Sequence, residues 1–302
     1  MRTFSKTMLL LFFLILNFNL INSQSRLNTF LKPSDTLNTS RRNAVLISES
    51  LLFVAGIVQL NKIYAKDYFD SKCDFVNNDS KYLQMDKAAH SFVSYQMGSA
   101  SVKALKWSGV SRRNQLLYGS GIGFVFLTTV EILDGFSKQN KASYGDIMAN
   151  AAGTSLYVSQ ELIWKEQRIK PKFSFHSTSF FISNPRTMRM QIEQEFDGQT
   201  FWLSANLNSF LKTAKIPEWV NIAFGYGVEG MDYENDSYKN SLVSQKFPYR
   251  QFYVSLDVDL TKIKTNSSFL KTIFYFLNTL KFPAPTLEFT RDNRLKWHLV
   301  YF

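Results

Sequence analysis

Cysteine is almost missing from this chain. Cys73 is the only one in 302 residues, so an internal disulfide is excluded. No cysteine follows the apolar run near the N-terminus, which leaves a lipid-modified N-terminus unsupported. Basic residues are scattered and build no Arg-rich helix, which argues against a nucleic-acid surface. Nor does the chain carry the Glu-x-x-His pairs of di-iron bundles; it has Glu-x-x-Asp at Glu131 and Asp134 instead.

Present at the N-terminus is a secretory pattern. Arg2 and Lys6 precede the run MLLLFFLILNFNLI, and small Ser23 stands at a plausible cleavage point. Residues 1–23 therefore read as a signal peptide, with an uncleaved anchor as the alternative. The chain has 35 Lys and Arg against 24 Asp and Glu. Removing 1–23 takes two bases and no acid, so the mature charge is 33 − 24 = +9. That charge suits an anionic membrane surface, and export removes nucleic acid as a partner.

The pattern predicts an α+β protein: an N-terminal four-helix bundle followed by an antiparallel β-rich region with one amphipathic helix. Residues 24–40 read as a flexible, irregular arm and 41–170 as the helical domain. Helices are expected over 41–65, 86–107, 112–135 and 143–165. Ser40 is the expected cap of the first. Gly119 and Gly123 lie four apart and invite close approach by another helix, while Ser143 and Asp146 form a capping-box pattern. Only the first and third helices approach membrane-spanning length, so an integral membrane protein is an alternative to a bundle outside the bilayer or sunk into one leaflet.

From Pro171 to residue 302 the pattern alternates with period two. In VNIAFGYGV, Val220, Ile222, Phe224, Tyr226 and Val228 share one face; Asn221, Ala223, Gly225 and Gly227 share the other. Such strands fit a half-buried sheet with its apolar side covered by the helix over 267–280. They also fit an outer-membrane barrel, although five good strands and two doubtful ones fall short of the usual eight.

The densest chemistry lies between Asp86 and Gly153. Asp86, Lys87, His90, Glu131, Asp134, Asp146 and Asn150 interrupt otherwise apolar helices, with Ser143 and Gly153 as structural companions. Ionised groups on such faces need a partner, a proton or a metal. Asp86 and His90 share a helix face, as do Glu131 and Asp134, and Asp146 and Asn150. Convergence of these faces predicts a polar cluster. It is either a structural network or a site, in which Asp86, His90, Glu131 and Asp146 hold a divalent metal or His90 acts as a general base.

The skeleton DKAAH, EILDGFS, ASYGDIMANAAG resembles the YfiM-like family of predicted periplasmic lipoproteins, a domain of unknown function, and more distantly the VanZ-like membrane proteins. The shared positions are Asp86, Lys87, His90, Glu131, Ser143, Asp146, Asn150 and Gly153. The resemblance implies an envelope location, in the periplasm or at the outer membrane, and no established activity. The Ser-His motifs of lipid-phosphate phosphatases are absent. Three functions compete: a non-enzymatic, outer-membrane-associated envelope protein, a metal-dependent envelope hydrolase or lipid-modifying enzyme, and a lipid or small-molecule carrier. Each predicts a membrane surface or lipid as partner.

Overall fold

The structure is a computed structural model that describes residues 25–64, 72–77, 81–137, 141–176, 196–212, 215–231, 248–290 and 295–302. The expected signal segment lies outside them. Helices come first and an antiparallel sheet follows, so the α+β reading holds. The principal helices are α1 (Thr39–Tyr64), α2 (Met85–Trp107), α3 (Ile122–Gly135) and α4 (Tyr144–Ile163).

These do not form a uniform four-helix bundle. Helices α2, α3 and α4 pack on one another, whereas α1 is largely uncovered and Val45 is its one buried apolar side chain among those described. The arm also departs from expectation, because residues 25–31 are helical. Asn38, not Ser40, caps α1: its Oδ1 accepts from the Arg41 amide at 2.9 Å. The expected third helix is broken into a turn at Arg112–Asn114, a π-helical turn at Gln115–Gly119, and α3.

Glycine explains how tightly the three inner helices approach. A Cβ on Gly123 would lie 2.3 Å from the Ser94 carbonyl oxygen, and one on Gly153 would lie 2.1 Å from that of Ser91. Both oxygens belong to α2, so α3 and α4 each meet its backbone. Gly119 meets α2 at Val102 in the same way.

Two-residue strands β1 (Phe75–Val76) and β2 (Ala142–Ser143) pair in parallel beside the end of α3. The Asp74 amide donates to the Gly135 oxygen at 2.8 Å, and the Ala142 amide to the Asp74 oxygen at 3.0 Å. This clasp fixes Ser143 at the head of α4.

The remaining strands are β3 (Ile169–Phe175), β4 (Gln199–Asn206), β5 (Val220–Glu229), β6 (Tyr249–Val258), β7 (Ala284–Thr290) and β8 (Leu295–Tyr301). They form one antiparallel sheet in sequence order. Because β3 begins at Ile169, the expected boundary at 170 falls inside a strand. The residues just before β7 lie along β3, with the Lys281 amide donating to the Phe173 oxygen at 2.8 Å. Tyr301 of β8 meets Thr200 of β4 at 3.0 Å between hydroxyl oxygens. The sheet is therefore curled and partly closed.

Its polarity overturns the reading of an apolar side covered by a helix. The small and polar face is the buried one: Ser204, Asn221, Ala223, Ser255 and Asp257 are all inside. Leu203, Phe224, Phe252, Leu256 and Phe289 are exposed. The amphipathic helix, α6 (Ser268–Leu277; α5 is the short Leu207–Leu211), turns instead toward α2, where the Tyr275 hydroxyl donates to Ser99 Oγ at 2.9 Å.

Inside the curl, ions are paired. Lys172 Nζ lies 2.7 Å from Asp257 Oδ2, and Lys281 Nζ lies 3.9 Å from Oδ1. Lys170 meets Asp259 at 2.8 Å. Ser204 donates to Asp257 at 2.5 Å, and Asn221 to Ser204 at 2.8 Å. Such satisfied networks are what permits charge in an interior.

Candidate functional site

The three packed helices bring six of the seven expected cluster residues into a connected set. Asp86, Lys87 and His90 come from the first turns of α2, Glu131 and Asp134 from the end of α3, and Asp146 and Asn150 from the start of α4. The start of α2 is itself held from the sheet. Tyr82, Leu83 and Gln84 all have left-handed backbone (φ 50°, 49° and 67°). The Tyr226 hydroxyl donates to the Leu83 oxygen and Arg250 to Gln84 Oε1 at 2.8 Å. Non-glycine residues in this region are strained by roughly 1 kcal/mol each or more, and these contacts hold them there.

Lys87 is the cation of the cluster. Its Nζ lies 3.0 Å from Asp146 Oδ1 and 3.1 Å from Asp86 Oδ2. Asp86 also accepts from the Lys87 amide at 2.9 Å. It therefore faces Lys87 rather than orienting His90, although the two share a helix face.

His90 is oriented by Asn150, whose Oδ1 stands 2.9 Å from Nδ1. An amide oxygen only accepts, so Nδ1 carries a hydrogen. Nε2 points at Glu131 Oε1, 3.4 Å away. The other Glu131 oxygen accepts from the Ser143 amide at 3.2 Å. Ser143 also caps α4, its Oγ accepting from the Asp146 amide at 3.2 Å, as the capping-box pattern predicts.

Burial dominates the electrostatics. It pushes Glu131 up to about 7; the charges of Asp146 and Asp134 add to that rise, while His90 and the Ser143 amide oppose it. Burial likewise raises Asp134 to about 6, against the pull of His90 and with help from Asp146. Asp86 is raised by burial and by the Asp146 charge, in spite of Lys87. For Lys87 burial works against the ammonium, yet its bonds to Asp146 and Asp86 prevail and its pKa rises. Asp134 is linked to His90 and Asp146 through charge.

One ligand atom from each of His90, Glu131 and Asp146 lies within 4.8 Å of the others. Asp86, the fourth residue of the expected set, is not in that trio. Two contributors escaped the sequence reading. Ser94 donates to the Asn150 backbone oxygen at 2.8 Å and lies 3.0 Å from Thr154 Oγ1, fixing α4 against α2. Their only signal was a hydroxyl at one-turn spacing after His90 and Asn150.

This geometry occupies the stretch that relates the chain to others. Residues 74–160 match the predicted periplasmic lipoprotein family, DUF2279. The match spans the clasp and α2 through most of α4, and bears out the YfiM-like resemblance. Its description goes with an exported protein of the cell envelope and names no activity. No curated protein and no solved structure matches the chain.

Proposed function

We propose that this is an outer-membrane-associated envelope protein with a non-enzymatic role, seated against lipid through the outer face of its sheet. The observation that carries this reading is the inverted polarity of the six strands. Register aligns Leu203, Phe224, Val254, Leu287 and Trp297 across five neighbouring strands. A parallel row runs Phe252, Phe289 and Leu295, and ends where Tyr226 bonds to Leu83 and Phe201 packs on Phe92 of α2. A continuous apolar surface of this kind, over an ion-bearing interior, matches a lipid contact better than a water-facing one. The six strands among the described residues are fewer than the eight of the smallest spanning barrels, so the reading is one of seating rather than of a pore.

A lipid partner has further support among the helices. The segments Thr39–Gln59 and Arg112–Gly135 are long and apolar enough to cross a membrane, and little of either is buried. A cavity of about 1370 Å³ opens between α1, α2, α3 and α6. Lys103 on its wall stacks 3.6 Å from the Tyr275 ring centre. Burial, with Lys106 and Lys170 nearby, lowers the Lys103 ammonium to about 8. An acyl chain with an anionic head would suit that wall, which is what favours the carrier reading as a second one.

Membrane fractionation tests the main proposal. The native protein is expected to sediment with outer membranes and to need detergent for release. The double variant Phe224→Ser and Phe252→Ser is expected to release more readily. A pool freed by osmotic shock without detergent would overturn it.

A further inference from the structure

We propose that His90 Nε2, Glu131 Oε1 and a carboxylate oxygen of Asp146 form a binding site for one divalent transition-metal ion of the zinc class. This goes beyond the membrane reading and does not depend on it. Three features lead to it, each different in kind.

The first is spacing. His90 Nδ1 is taken up by Asn150, and Nε2 faces a carboxylate oxygen of Glu131 at 3.4 Å. Two ligand atoms about 2.0–2.1 Å from one ion stand about 3 Å apart, so a metal fits between them. The second is charge. Asp86, Glu131, Asp134 and Asp146 are four carboxylates set with one lysine, Lys87, which bridges Asp86 and Asp146, and one histidine, His90, which meets Glu131. A cation removes a surplus that the protein otherwise has to protonate. The third is a donor with nothing to donate to. Asn150 is fully buried, its Oδ1 holds the His90 ring, and its Nδ2 has no hydrogen-bond partner among the described residues. Leaving a buried N–H unpaired costs about 1–3 kcal/mol. An ordered water entering with the ion would satisfy it.

The surroundings have the form of a supporting shell. Asn150 orients the imidazole, the Ser143 amide holds the second oxygen of Glu131, and Lys87 holds Asp146. One imidazole nitrogen with two carboxylates favours zinc, manganese or iron(II) over calcium. Three protein ligands leave a position open to water or substrate.

Titration calorimetry on the chelator-treated full chain with zinc chloride tests this, with cobalt(II) absorption as a second probe. One ion per chain is expected, with visible cobalt bands of a mixed nitrogen–oxygen site. His90→Gln and Glu131→Gln should abolish it. Asn150→Ala should weaken affinity about 10–100-fold, and Asp86→Asn should leave it near the native value. X-ray absorption on the zinc-loaded native chain shows whether one histidine nitrogen is bound, so the test survives any variant that fails to fold. No binding at millimolar zinc, binding undiminished in folded His90→Gln, or absorption without imidazole scattering would overturn the proposal.

Discussion

Two interiors in this molecule carry charge, and they treat it differently. Within the sheet, each buried acid has a cation at hand: Asp257 has Lys172 and Lys281, Asp259 has Lys170, and Glu288 has Lys296 and His298. Between the helices, Lys87 pairs with Asp86 and Asp146, and Glu131 meets the His90 ring. The sheet core is balanced and reads as architecture. The helical cluster holds more acid than base, the imbalance that the metal proposal addresses.

The largest expected effect tests the balanced side. Asp257→Ala leaves Lys172 and Lys281 buried without their counter-ion and should destabilise the protein by roughly 3–5 kcal/mol, read by denaturant unfolding. A loss below about 1 kcal/mol would mean that the sheet interior is wet and the contrast misplaced.

Next come the helix contacts on which the cluster depends. Gly153→Ala places a methyl against the Ser91 carbonyl, where backbone stands on both sides. A loss of about 1–3 kcal/mol is expected, seen in the thermal midpoint, together with a weakened His90–Asn150 contact in the imidazole NMR signals.

Glu131→Gln sharpens the comparison from the other side. The amide keeps an acceptor for the Ser143 N–H while removing one surplus charge. In metal-free protein the expected change is within about 1 kcal/mol of zero, in either direction. A penalty as large as that of Asp257→Ala would make the helical cluster as structural as the sheet core.

The smallest effect is a pH dependence. Lys296 and His298 outweigh burial and hold Glu288 below its ordinary 4.5. A depressed carboxylate contributes stability that is fully present above the unfolded value and is lost as pH falls through the folded one. Native stability should therefore fall as pH drops below about 4.5, and Glu288→Gln should flatten that slope in acid unfolding curves.

Much of the cluster was legible because helical spacing is rigid. Residues three or four apart share a face, so the sequence alone puts Asp146 with Asn150 and Glu131 with Asp134. That rule says nothing about which neighbour a face will meet. Asp86 shares a face with His90 yet turns to Lys87. The amide that orients His90 arrives from a helix 60 residues further on. Ser94 and Thr154 were invisible for the same reason, since a hydroxyl gains its meaning from a partner across the helix contact.

Local chemistry in the sequence determined the order of helices and strands, the Ser143 cap, the glycines at the helix contacts and the strands' two unlike faces. Tertiary structure alone decided which face of the sheet lies inside and which carboxylates obtain a cation. A period of two defines two faces without ordering them, because burial depends on what the curled sheet encloses. Charge compensation, likewise, depends on distances between groups that the chain separates by dozens of residues.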